Sequence, residues 1–409
     1  MMSVQTTART LARALPALLL PTVLHAQDRL VGTAALGTGV TAEGIRFGGS
    51  GYMQPGATGR DSVRLRSIAQ LSVPVSLAVP LGSQWTIDIQ SLYSTVRLNT
   101  ETRIGSTPQT LTLSGVSDVR VRATGRLLDD AVVLTAGINA PTGQTELGGD
   151  ALTVLRASAA PALGLGAPPV GGGPAATLGI VVARQLGPWA VAIGGSYEQR
   201  GTYQPVAALT AGAPSTDYQP GNVLRGSIGL DRLIGQHRLS FSSAVDRFNA
   251  DELRDPTRAG ATPLATVRLG PIVTSDLQLQ LAAPRVNELV LWTSHRFRSQ
   301  YERDGTAVNG SSANYVDGGL RTSVPLRPAL DLLVTADGRW HSGLSIQQGL
   351  ATTGVTSAGA TLGLIARAGN LSWQPYLRAQ AGSLSARDSA APSTAFSGGS
   401  VGVLVVTRF

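Results

Sequence analysis

Apolar and polar residues alternate along most of this chain, in runs punctuated by turn-forming residues. Over 63–79 one face carries Val63, Leu65, Leu71, Val73, Val75, Leu77 and Val79, and the other Arg64, Arg66, Gln70, Ser72 and Ser76. Over 85–97, Trp85, Ile87 and Ile89 oppose Asp88 and Gln90; over 113–127 the polar face is Asp118, Arg120, Arg122, Thr124 and Arg126. Over 267–281 Leu269, Val273, Leu277, Leu279 and Leu281 oppose Arg268, Thr274, Asp276, Gln278 and Gln280. Over 330–340 Leu332, Val334 and Ala336 oppose Asp331, Thr335, Asp337 and Arg339. A period of two is the signature of a strand with two unlike faces.

Seven tight turns separate these runs, at 80–84, 128–130, 186–188, 234–236, 284–287, 327–329 and 368–370. Between them lie eight longer, polar or Gly/Pro-rich segments near 49–62, 101–110, 143–174, 202–220, 249–262, 304–312, 347–353 and 387–396. Short turns alternating with long loops is the up-and-down pattern of a transmembrane barrel, the short turns being periplasmic. Seven hairpins, a first strand within 29–47 and a last over 400–409 predict an all-β, antiparallel barrel of about 16 strands. Fourteen is the alternative, should 28–47 lie outside the wall.

The last ten residues alternate as well, with Val401, Val403, Val405, Thr407 and Phe409 on one face. That is the length a tilted strand needs to cross a bilayer. Ending on an aromatic residue, the strand resembles the carboxy-terminal signature of bacterial outer-membrane β-barrels. The resemblance implies that barrel-assembly machinery reads this strand and that the protein resides in outer-membrane lipid. At the other end Arg9 and Arg13 precede an apolar stretch and Leu24-His25-Ala26, the three-part pattern of a cleaved signal peptide over 1–26. Residues 27–409 would then form the barrel. Trp85, Trp189 and Trp373 each follow a tight turn closely and share a level with Phe409, where interfacial anchors belong.

Composition narrows the chemistry. No stretch offers eighteen uninterrupted apolar residues, so no helical membrane span is expected. Cysteine is absent, consistent with a closed barrel, whose strands are all paired without disulfides. The formal charge is +8 and every basic side chain is Arg, but these are spread singly or in alternating pairs along strands. That distribution gives no nucleic-acid footprint. Turned inward, the polar faces supply candidate pore-lining residues: Arg64, Arg66, Asp118, Arg120, Arg122, Arg126, Arg268, Asp276, Arg321, Asp337 and Arg339. Such charges either pair across neighbouring strands or line water, where Arg stripes favour anions. The longest loop, 143–174, is the third outer one, with Glu146, Asp150 and an Ala/Leu-rich stretch over 152–165. In position and length it resembles the inward-folding constriction loop of sixteen-stranded general porins.

No enzyme is expected. Beyond the signal the histidines are His237, His295 and His341, none in a catalytic pattern, and neither metal-ligand spacing nor a cofactor motif occurs. Ser114-Gly115-Val116-Ser117-Asp118 through Leu127-Leu128, then Ala140-Pro141-Thr142-Gly143, resembles a hairpin of putative outer-membrane transporters of meta-pathway phenol degradation, loosely related to the long-chain fatty-acid transporters. It implies passage of hydrophobic small molecules. The expected function is therefore a passive transport barrel for small solutes, with a plugged, non-conducting structural or adhesion barrel as the alternative.

Overall fold

The structure is a computed structural model and describes residues 34–49, 52–55, 62–102, 108–160, 163–166, 170–205, 216–255, 257, 262–343, 352–386 and 393–409. The expected signal segment lies outside these residues. Sixteen staves form the wall. They are β1 (Ala35–Phe47), β2 (Ser62–Leu81), β3 (Trp85–Thr102), β4 (Pro108–Val116 continued by Val119–Leu127), β5 (Val132–Ala140), β6 (Ala175–Leu186), β7 (Trp189–Arg200) and β8 (Val223–Ile234). The second half comprises β9 (His237–Phe248), β10 (Ile272–Gln280), β11 (Glu288–Arg298), β12 (Ala313–Arg327), β13 (Leu330–Ser342), β14 (Thr352–Ala368), β15 (Leu371–Ala386) and β16 (Thr394–Arg408).

Every stave pairs antiparallel with its sequence neighbour, and β1 pairs with both β2 and β16. The closing seam runs without interruption from Ala35 opposite Arg408 to Phe47 opposite Phe396. A closed ladder leaves no edge and satisfies the backbone inside a bilayer, where water cannot. All seven tight turns fall where the turn residues place them, and the stave ends that flank the eight longer connections lie at the opposite end. No helix among the described residues is long and apolar enough to cross a membrane.

Directly opposed residues in the ladder point the same way, so register fixes which face is which. The outward face of the wall is apolar: Val75, Ile138, Leu178, Ile193, Leu362 and Val401 are among its exposed residues. The inward face carries the charges. Two phase changes interrupt this order. A bulge lies between Leu65 and Ser67 on β2, and β4 is broken at Ser117-Asp118. Each shifts the alternation by one residue, exchanging the two faces above it.

One expected strand is really two. The run 267–281 does not continue through the wall: Ala265–Arg268 belongs to a separate five-stranded sheet of the outer loops, and β10 begins at Ile272. Gly270-Pro271 interrupts the ladder between them, and Pro271 has no N–H to donate.

Candidate functional site

The third outer loop enters the barrel. It contains helix α1 (Gly149–Ser158), with Asp150 in its first turn and Arg156 in its last, each at the helix end whose dipole favours its charge. Val154 and Ala157 on α1, with Leu147 and Leu163 beside it, are fully buried. They pack against Ile45, Leu65, Ile68, Val96, Leu98, Leu113, Val355, Leu384 and Phe396, from seven adjoining staves, β14–β16 and β1–β4. Only the concave inner surface is shared by those staves, so the loop lies against the inside of the wall. Glu146 and Asp150 stay exposed on the loop.

Above the two phase changes, the sequence pattern is inverted to match this loop. Val96, Leu98 and Thr100 on β3 face in, while Thr95, Arg97 and Asn99 face out; on β4, Leu111 and Leu113 face in and Thr110 and Ser114 out. Leu65, read from simple alternation as lipid-facing, is buried in this inner cluster. The same bulge corrects Arg64 and Arg66. Arg64 opposes Glu101 on the face opposite the buried Leu65–Thr100 pair, and Arg66 bonds Glu101 at 2.8 Å. Both arginines therefore decorate the outside of the rim and do not line the pore.

Asp118 also has a role other than pore lining. It is 5 % exposed, and its carboxylate accepts from the Asn139 side chain at 2.7 Å, Gly143 N–H at 2.9 Å and Gly172 N–H at 2.7 Å. Thr142 Oγ1 accepts from Val119 N–H. The aspartate thus ties both ends of the third loop to the break in β4. The sequence element that joined Asp118 to Pro141-Thr142-Gly143 is, in three dimensions, a loop clamp.

One further hydrogen bond and one close contact lie at the loop's far end. Glu43 on β1 accepts from Gly166 N–H at 2.8 Å. Gly164, at φ +61°, leaves room for Arg339: a Cβ there would stand 1.9 Å from a guanidinium nitrogen. Arg339 in turn donates to Asp317, which also meets His341 Nε2 at 3.1 Å.

Most inward charges are paired. Arg122 meets Asp88, Arg225 meets Asp246, Arg238 meets Asp231, Arg321 meets Glu288, Arg367 meets Asp331 and Arg378 meets Asp337. Arg126 faces inward opposite Val133 near the short-turn end. Arg268 is corrected: it pairs with Glu302 in the outer sheet, half exposed, away from the wall. Arg120 and Asp276 face inward with no hydrogen bond or ion pair among the described residues. No group of metal-binding side chains occurs among the described residues.

Opposite the loop, the inner surface is lined by small residues. A cavity of about 100 Å³ is lined by Val133, Thr135, Val181, Ala192, Gly194, Ser227, Gly229 and Ala244, together with Arg122, Arg225 and Asp276. Sequence reading missed this surface because small residues carry no charge to mark them. The expected anchors Trp85, Trp189, Trp373 and Phe409 all point outward at the short-turn end, with the Arg232 guanidinium 5.1 Å from the Trp189 ring. Trp340, 51 % exposed, points outward near the opposite end.

No family model matches the chain, and no curated protein does. Among solved structures it is similar to OprB of Pseudomonas putida, at 12 % identity and TM-score 0.43, over 94 % of this chain and 96 % of that one. It is also similar to the COG4313 outer membrane channel of Pseudomonas putida F1 (10 %, TM-score 0.33, 92 % and 96 %). A third is the TodX monoaromatic hydrocarbon channel (9 %, TM-score 0.44, 92 % and 90 %). The fold itself rests on the closed ladder. The chain is a sixteen-stranded transmembrane β-barrel.

Proposed function

We propose that this protein is an outer-membrane channel through which small solutes diffuse passively, narrowed by its third loop. The observation that carries the reading is the loop's position. It is clamped by Asp118 and Glu43 onto one side of the inner wall, with Gly164 packed against Arg339, and the opposite side keeps a small-residue surface. A loop held to the wall constricts a passage without filling it. The opposing surface mixes Val and Ala with Ser and Thr, so it suits solutes with an apolar body and few polar groups. This agrees with the hydrophobic-compound passage implied by the Asp118…Pro141-Thr142-Gly143 hairpin. Arg120, with Arg122 partly offset by Asp88, supplies a modest anion preference, opposed by Asp276, which has no partner among the described residues.

The ladder of paired inward charges favours a second reading, a stiff non-conducting barrel. Liposome swelling separates the two. Vesicles holding the refolded full chain admit small solutes on the channel reading, at rates that fall with solute size. Vesicles that stay impermeable to every solute tested would rule the channel out.

A further inference from the structure

The phase change that removes Arg64 and Arg66 from the lumen collects a basic patch on the outside of the rim. Arg46 on β1 opposes Ser67 on β2, Ser67 opposes Asn99 on β3, and Arg97 on β3 opposes Ala69. All of these residues lie on the outward face. Arg64 and Arg66 join them at the end of β2 nearest the long loops. Among the described residues, four guanidiniums thus flank three adjacent staves against a single carboxylate, Glu101, which is engaged by Arg66 and lies 3.9 Å from Arg64. Arg46 and Arg97 are exposed and make no hydrogen bond or ion pair among the described residues.

The height of the patch identifies what it meets. Trp85 marks the short-turn end of β3, and Arg97 lies on the same outward face further along the strand. At about 3.3 Å per residue and a tilt near 40°, that spacing spans about 30 Å, one hydrocarbon thickness. Directly below the patch the outward face is apolar, with Leu71 and Val75 exposed. The arginines therefore stand at the head-group level of the leaflet on the long-loop side. Adjacent staves are about 4.8 Å apart, so Arg46 and Arg97 flank β2 at about 10 Å laterally. Guanidiniums at that spacing can grip separate phosphates of one head group, each by paired N–H donors.

We infer that Arg46, Arg64, Arg66 and Arg97 form a binding site for the phosphates of an outer-leaflet glycolipid, which seats on the barrel wall beside β2. The inference rests on the outer-membrane placement and is independent of conductance. Recovery of the protein in the outer-membrane fraction of cells tests that placement separately.

The test uses the full chain in detergent with three probes: lipid A, the same lipid A stripped of its phosphates, and inorganic phosphate. Binding is read by native mass spectrometry across a lipid titration. Wild type retains lipid A, and the Arg46→Gln plus Arg97→Gln double variant loses at least tenfold in affinity. Arg184→Gln plus Arg285→Gln, at the short-turn end, leaves affinity unchanged. Heat-modifiable gel mobility shows whether each barrel is folded, and Arg97→Gln alone, with an intermediate loss, serves if the double variant is not. Equal lipid A retention by the double variant and wild type overturns the site, as does equal binding of the stripped lipid. Displacement of lipid A by millimolar inorganic phosphate overturns the lipid assignment.

Discussion

Replacing Asp118 by Ala removes the clamp on the third loop and leaves three donors, from Asn139, Gly143 and Gly172, facing an emptied and buried position. Hydrogen bonds to a charged acceptor contribute about 1.5–3 kcal/mol each, and an orphaned buried donor costs about 1–3 kcal/mol. Water entering the vacated space recovers part of this, so a local loss of about 3 kcal/mol is a conservative figure. The apolar cluster around Val154 still favours docking, so the loop opens more often without leaving the barrel permanently. At 1.4 kcal/mol per tenfold, 3 kcal/mol raises the open population about 100-fold. Trypsin cleavage after Arg156 on α1 reads that population, since a helix packed on the wall must open before it is cut. Asp118→Asn keeps the shape and one acceptor oxygen, so its cleavage rate falls between wild type and Asp118→Ala. Barrel integrity is followed in parallel by heat-modifiable gel mobility. Equal cleavage rates for folded wild type and Asp118→Ala would refute the clamp.

Other consequences are equally direct. Gly164→Ala places a methyl against Arg339 in a left-handed backbone that costs an L residue about 1–2 kcal/mol; faster cleavage after Arg156 is expected, and an unchanged rate counts against the Gly164–Arg339 contact. Leu98→Ala, inside the loop-to-wall cluster, costs about 2–5 kcal/mol of local stability; denaturant midpoints for loop protection measure it. Arg120→Ala plus Arg122→Ala shifts the reversal potential in a salt gradient toward cations, while Asp276→Asn shifts it toward anions. In the outer sheet, burial and donation to Asp251 hold Tyr218 protonated well above the ordinary phenol range. Its contribution is complete below about pH 10, the unfolded value, and is lost as pH rises further. Tyrosinate absorbance should therefore show a late-titrating component that Tyr218→Phe diminishes.

The wall was legible in the sequence because a lipid-facing strand must alternate. The turns, the long loops, the closing strand β16 and the count of sixteen all follow from that constraint. What escaped were positions where a local irregularity breaks the period. The bulge at Leu65–Ser67 turns Arg64 and Arg66 out and Leu65 in, and nothing in a strict period of two marks it. A trace was present: above the bulge, apolar Val96, Leu98, Leu111 and Leu113 occupy the face that lower down carries Asp88 and Gln90. Inverted polarity there signals an internal partner, which proved to be the Ala/Leu-rich loop. Arg268 was misplaced because Gly270-Pro271 was read through as strand, although proline cannot donate to a ladder. Asp118 was placed on the correct face, but the depth of its burial depends on Gly172, remote in sequence. Pairing of the remaining charges, such as Arg339 with Asp317, is set by cross-strand register that alternation alone does not supply.

Single-channel recording in a planar bilayer tests the central claim most directly. The full chain should give discrete conductance steps, and Asp118→Ala should give larger or noisier steps as the loop leaves the wall. A folded wild-type barrel with no steps, joined by an equally silent Asp118→Ala, would contradict a channel narrowed by its third loop.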